Sequence, residues 1–310
     1  MRKTGSKKRS IIAVLIVLSS LLLTFLIWIG ISLGLYLMYF GGRFESPKVS
    51  MNHTYQFDGL ERTRYEITSD KGQTVVGYMY SAGTDHRGII VFAHGYGYGG
   101  HNSYMESINY LAQNGYYVFA YDVTGNDESG GAGIGGVPQG MIDLNYVISF
   151  VEDSGNFPDL PIGLFGHSWG GYSVCSVLYY HPEVEAVIDC SGPASSADLI
   201  EGGGQGVVGA LAYVVTPVIK VYERIKFGEY AIVTGIDGVE STDAEIMIIH
   251  SSDDKIVPVS YGYDIYYSRF ADDPRFTFVL LNGKGHNSFL NVRNNKDLYE
   301  SFVDFYDKNM

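Results

Sequence analysis

LFGHSWGGYS, residues 164–173, runs a short apolar stretch into a longer amphipathic one through glycines on both sides of Ser168. The preceding LPIGLFG is continuous and apolar, as expected of a strand buried on both faces of a parallel sheet. The following GGYSVCSVLYY has the length and spacing of a helix. A strand that turns directly into a helix at G-x-S-x-G, here Gly166, Ser168 and Gly170, exposes a serine hydroxyl at the end of the sheet. The glycines make steric sense, because so sharp a turn leaves no space for side chains beside the serine. In a chain with 39 glycines among 310 residues the motif alone decides little. Its surroundings have to.

The surroundings alternate. RYEITSD and TVVGYMYS read as two short strands joined by a turn at residues 70–72. GIIVFAHGYGYGG follows as a buried strand ending in glycines, then an amphipathic helix over 102–113, the strand YYVFAYD, the helix VPQGMIDLNYVISFVED and the strand LPIGLFG. Beyond Ser168 come a helix over 170–181, the strands AVIDC and EIMIIH, a helix over 259–270, the strand RFTFVLL and a closing helix over 296–307. This order predicts an α/β fold on a doubly wound, mostly parallel sheet. Residues of about 193–242 break the alternation and are expected to form a small helical cap over the carboxyl ends of the strands. Its stretch VVGALAYVVTPVIKVYERI, including Val214 and Val218, is expected to line the space above Ser168 with apolar side chains.

Residues 10–42 carry no charge, and their apolar run exceeds the ~20 residues that a membrane-spanning helix needs. A cleaved signal has an apolar region of roughly 7–15 residues with a small-residue site close behind. The longer run here reads as an uncleaved single-pass anchor. Arg2, Lys3, Lys7, Lys8 and Arg9 form a basic tail over 1–9 that stays in the cytoplasm, leaving 43–310 as one extracytoplasmic domain at the cell membrane. A tether of this kind predicts that a chain beginning near Arg43 keeps its activity. The outer domain holds 16 Lys and Arg against 34 Asp and Glu, a formal charge of −18, so nucleic acid is not an expected partner. Cys175 and Cys190 are expected to be buried free thiols, with a single bridge as the alternative. No zinc, EF-hand or nucleotide-binding spacing is present, so neither metal nor cofactor is expected.

A serine hydroxyl is a weak nucleophile unless a base, itself oriented by an acid, takes its proton. HSSDDKIVP puts Asp253 and Asp254 just beyond the strand that ends near His250, and NGKGHNSF puts His286 just beyond the strand that ends near Leu281. Both loops open on the same sheet edge as Ser168. His94, Gly95 and Tyr96 leave another buried strand there, so the backbone N–H groups of Tyr96 and Trp169 are candidates for an oxyanion hole. His94, His101, His167 and His250 read as loop-holding or structural.

GHSWGG, HGYGYGG, DDKIVP and GKGHN together resemble the α/β-hydrolases, from about Tyr65 onward. Within that superfamily the chain is similar to the esterase, dienelactone-hydrolase-like and prolyl-oligopeptidase-like branches, and to membrane-anchored hydrolases of Gram-positive bacteria. The resemblance implies that Asp254, in D-x-x-V-P, is the acid rather than Asp253. It also marks GYYVFAYDVTGNDESGG as the fourth-strand segment, with Asn126 and Asp127 where a second glycine is usual. The expected function is a serine hydrolase that cleaves an ester or related acyl bond of a small or lipid-like substrate through an acyl-enzyme, with Ser168, His286 and Asp254 as triad. A prolyl-oligopeptidase-type serine peptidase and a non-catalytic binding module on the same fold are the alternatives.

Overall fold

The apolar runs pair into a single sheet in the computed structural model, which describes residues 3–48, 51–97 and 99–310. Arg2 and the side chains of Lys3, Lys7, Lys8 and Arg9, all in the basic tail, lie outside the described residues, as does Tyr98 in the glycine run. The strands are β1 (Glu61–Thr68), β2 (Thr74–Ser81), β3 (Ile89–Ala93), β4 (Tyr117–Asp122), β5 (Ile162–His167), β6 (Ala186–Cys190), β7 (Glu245–Ser251) and β8 (Phe276–Leu281). They lie in the order β1-β2-β4-β3-β5-β6-β7-β8. The first two pairings are antiparallel and those from β4 to β8 are parallel. β3 has β4 on one side and β5 on the other, so the strand order reverses between β3 and β5. Open α/β sheets bind ligands at the carboxyl ends of the strands at such a reversal. Ala93 and Gly166 are paired there, so the segments carrying Tyr96 and Ser168 leave the sheet side by side.

Both faces of the sheet are covered. In β3 the period of two sends Ile89, Val91 and Ala93 into one core and Ile90 and Phe92 into the other. The first core is closed by α3 (Pro138–Asp153), α4 (Trp169–Val177), α7 (Gly235–Glu240) and α8 (Tyr263–Phe270), the second by α2 (Met105–Gln113) and α9 (Lys296–Asn309). Burial of each large apolar side chain contributes about 1.5–3 kcal/mol, which is why β3, IIVFA, carries no polar residue. Cys175 and Cys190 are buried free thiols.

Residues after β6 form α5 (Ser196–Val208) and α6 (Leu211–Phe227) before α7. α7 returns to the main layer: a Cβ at Gly238 would stand 1.9 Å from the Cys175 carbonyl, an approach that only glycine permits. The part that stands away from the sheet is therefore the α5–α6 hairpin.

The N-terminal helix α1 (Lys3–Phe40) includes 31 residues, Ser10–Phe40, that are long and apolar enough to cross a membrane. Its last turns are not detached from the domain. Tyr36 is buried in the core and donates its hydroxyl hydrogen to Glu223 of α6, while the Trp28 indole donates to the Val214 carbonyl at 2.9 Å. The linker after α1 then locks the loop after β4. Asp127 adopts φ 38°, the left-handed region that a glycine would take freely, and its carboxylate accepts from the Ser46 N–H (2.6 Å) and hydroxyl (2.9 Å). The Arg43 guanidinium donates to the carbonyls of Asp127, Ser129 and Gly131.

Candidate active site

Ser168 sits between β5 and α4 at φ 56°, ψ −114°, a left-handed conformation that costs a non-glycine residue about 1–3 kcal/mol. The turn is held from all sides. The Ser168 N–H donates to the Cys190 carbonyl at 2.8 Å, and its own carbonyl accepts from Tyr172 at 3.1 Å. A Cβ at Gly166 would lie 2.3 Å from the Gly170 carbonyl oxygen, and one at Gly170 would lie 2.1 Å from that of Ala93. The glycines read in the motif are thus demanded by backbone contact.

His286 reaches this serine from the loop after β8, where Gly283 and Gly285 both take positive φ and turn the chain back over the sheet edge. Its Nε2 lies 2.9 Å from Ser168 Oγ and its Nδ1 lies 2.7 Å from Asp254 Oδ2. With the proton on Nδ1 directed at the carboxylate, Nε2 accepts from the serine hydroxyl. Asp254 Oδ1 accepts the N–H groups of Ile256 (2.8 Å) and Val257 (3.0 Å). Burial raises the Asp254 carboxyl, but hydrogen bonds from His250 and His286 outweigh it and hold the group well below the usual carboxylate range. The neighbouring Asp253 is exposed and points elsewhere, accepting from Ser251 Oγ (2.6 Å) and the Gly285 N–H (3.1 Å). It braces the histidine loop and does not touch the ring.

Trp169 opens α4, so its N–H has no acceptor within the helix, and its indole is fixed by donation to the Val137 carbonyl at 2.8 Å. Tyr96 follows β3. Its ring lies among Phe40, Phe44 and Trp169, with centroids at 5.1, 5.0 and 6.2 Å, and its hydroxyl donates to the Tyr39 carbonyl. The helix end and the linker therefore support one candidate oxyanion residue, a contact that the sequence gives no sign of. Val214, expected above Ser168, is half-exposed and lies instead beside Trp28.

Tyr104 and the Tyr39 carbonyl escaped the sequence reading, whereas His167 and His250 hold the loops as that reading expected. The Tyr104 hydroxyl accepts from the Gly95 N–H at 3.0 Å and donates to His167 Nδ1 at 2.8 Å, and His167 Nε2 then donates to the His286 carbonyl at 3.1 Å. This relay ties the Tyr96 loop to the His286 loop. Burial and the nearby His286 push His167 down to about 3, so its ring stays neutral and keeps that tautomer. His250 is fully buried, with Nε2 at 2.8 Å from the Val257 carbonyl and 3.2 Å from Asp254 Oδ2, so it backs the acid. His94 donates to the Gly95 carbonyl from Nδ1 (2.7 Å) and accepts the Val123 N–H at Nε2 (3.0 Å), the loop-holding role that the sequence suggests. His101 is buried against Asp122 (2.7 Å) and Tyr80 (2.9 Å).

A protein-family profile described as Hydrolase_4, serine aminopeptidase, S33, matches residues 84–231, just under half of the chain. An esterase of Pyrococcus furiosus, Pf2001, superposes with a TM-score of 0.66 over 86% of this chain and 98% of its own, at 20% identity. The chain has the α/β-hydrolase fold. An acylaminoacyl peptidase of Pyrococcus horikoshii shares the α/β-hydrolase fold, with a TM-score of 0.61 over 82% of this chain and 42% of that one, at 15% identity. Among curated relatives, a monoacylglycerol lipase of Mycolicibacterium smegmatis is 28% identical over 44% of this chain and 48% of its own, so the match spans about half of that lipase. The Bacillus subtilis protein YqkD, uncharacterised, is 24% identical over 80% of this chain and 81% of its own.

Among the described residues, one cluster has ligand-like composition away from Ser168. Glu152, His181 and Glu183 meet near the start of β6, at the opposite end of the strands. His181 is already committed, with Nδ1 2.7 Å from Glu183 and Nε2 2.9 Å from the Asn145 side chain. Burial and the Glu183 charge push Glu152 up to about 7.

Proposed function

We propose that this chain is a membrane-anchored, outward-facing serine hydrolase that cleaves an ester or related acyl bond. The observation that carries the reading is the continuous hydrogen-bonded line from Asp254 through His286 to Ser168, at a positive-φ turn on the reversal point of the sheet. In the proposed reaction Ser168 Oγ attacks the acyl carbon while His286 Nε2 takes its proton. Asp254 keeps the imidazole oriented and stabilises the imidazolium. The N–H groups of Tyr96 and Trp169 stabilise the tetrahedral oxyanion, and the protonated His286 then delivers its proton to the leaving group. Water repeats the sequence on the acyl-enzyme and frees Ser168. The monoacylglycerol lipase and esterase relatives support an acyl ester as substrate. The apolar helix Ser10–Phe40, behind a basic tail, supports a single membrane span with the catalytic domain outside.

A peptidase is the second reading, because the matching profile is described as a serine aminopeptidase. Fluorophosphonate labelling, followed by a panel of p-nitrophenyl esters and aminoacyl p-nitroanilides, tests both. Labelling with turnover of the esters supports the main reading. Turnover of the anilides alone replaces it with the second, and no labelling of folded protein removes both.

A further inference from the structure

The end of α1 and the α5–α6 hairpin form one surface. Trp28 bonds to Val214 near the start of α6, and Tyr36, two turns further along α1, reaches Glu223 further along α6. Two contacts advancing in the same sense make the helices parallel neighbours. The start of α6 therefore lies level with Trp28, and the hairpin tip lies further towards the N-terminal end of α1. At a rise of about 1.5 Å per residue, Trp28 is about 26 Å along α1 from Ile11. That is near the far edge of a hydrocarbon layer about 30 Å thick.

The composition of the hairpin changes at the same level. No residue from Gly202 to Ile219 is charged. Val207, Leu211, Tyr213 and Val214 are exposed by 57, 42, 52 and 50%, an unusual concentration of apolar surface on one turn. Further along α6 the exposed charges are Lys220, Arg224 and Lys226, all basic in a domain of formal charge −18. An apolar tip followed by basic side chains is the pattern of a segment lying in a membrane interface, with acyl chains against the tip and lipid phosphates against the bases. The base of the hairpin is tied to the domain through Glu223, whose buried carboxylate accepts from Tyr36 of α1, Ser196 of α5 and the Val137 N–H ahead of α3.

We propose that the tip of the α5–α6 hairpin is a second membrane contact, with Val207, Leu211, Tyr213 and Val214 immersed in the lipid leaflet beside α1. The proposal rests on the reading of α1 as a membrane span. A bilayer is the occupant favoured over a second copy of the chain because the patch continues the apolar face of α1 at matching depth and is bordered by bases. An active site held in this way meets acyl chains while they are still in the leaflet.

The test uses the full chain in vesicles of phosphatidylcholine and phosphatidylglycerol, with an environment-sensitive fluorophore on Val207→Cys or Tyr213→Cys. Leu22→Cys on α1 and Tyr55→Cys on the exposed loop before β1 serve as references, and the unsubstituted chain sets the background from buried Cys175 and Cys190. The hairpin labels are expected to lose most of their emission to lipids spin-labelled on the acyl chain, as Leu22→Cys does, while Tyr55→Cys responds only to aqueous iodide. Hairpin labels quenched by iodide while Leu22→Cys is quenched by lipid would overturn the contact and leave the span standing. Protection from both quenchers would overturn it in favour of a second copy. A Leu22→Cys label open to iodide would remove the span and the proposal together.

Discussion

Ser168 keeps a strained backbone because every neighbour forbids relaxation, and its roles separate cleanly from those of the residues around it. Ser168→Ala is expected to abolish fluorophosphonate labelling and lower kcat by about 10⁴-fold or more, with circular dichroism and Tm near those of the parent chain. The two adjacent aspartates offer a sharper contrast. Asp254→Asn should cost about 10³–10⁴-fold in kcat, because the imidazole loses both its orientation and its counter-charge. Asp253→Asn, which weakens only the contacts with Ser251 and the Gly285 N–H, should cost less than about tenfold. Similar losses in the two variants would contradict the assignment. Buried Asp189 gives a pH signature of its own. Burial pushes its carboxyl up to about 7, against the partial relief given by His250, the Gly192 N–H and Cys175. The folded chain then holds a proton that the unfolded chain releases near pH 4, so this group lowers stability as pH rises from about 4 to 7. Asp189→Asn should therefore raise Tm more at pH 8 than at pH 5, and equal changes at both would show that Asp189 is ionised in the fold. At this scale the glycines around Ser168 were legible because the turn demands them locally. Tyr104 was not, since it meets His167 only through the fold, 63 residues away.

At the level of elements, the end of α1 is joined to the loop that carries Tyr96, and α6 to the start of α3. Glu223 satisfies three donors from three elements, so Glu223→Ala leaves a hydroxyl pair and a backbone N–H buried without it. Chemical denaturation should show a loss of about 2–3 kcal/mol, and Glu223→Gln should recover part of it. Equal stability of Glu223→Ala and the parent would mean that the buried network holds nothing. The tether reading predicted that a chain beginning near Arg43 stays active, and the structure gives reason to expect otherwise. Such a chain lacks Tyr36 from the core and both Tyr39 and Phe40 from beside Tyr96. It should have a lower Tm and a lower kcat than the detergent-solubilised full chain. Matching kcat and Tm would show that the helix end is only a tether. The strands and helices themselves were readable because periods of two and 3.6 persist along each run. The docking of α1 was not, because a helix that is apolar on every side has no stripe to mark the face that meets protein. The same limit misplaced Val214: an apolar position on a cap helix can face a site, a neighbouring helix or lipid.

For the molecule as a whole, the alternating runs, the reversal between β3 and β5 and the shared sheet edge bring three distant loops to one point. That architecture was legible from 164–173 outward, because a buried parallel strand turning into a helix at a serine constrains its neighbours. How the hairpin sits relative to α1 depends on long-range packing and could be read only in three dimensions. The proposed reading, from the basic tail and the apolar helix, puts this chemistry on the outer face of a membrane. A membrane-impermeant fluorophosphonate applied to intact cells expressing the full chain tests the serine and its location at once. The account predicts one adduct, on the peptide containing Ser168, formed without lysis and absent from Ser168→Ala. An adduct on another residue, or one that forms only after the cells are broken open, would contradict it.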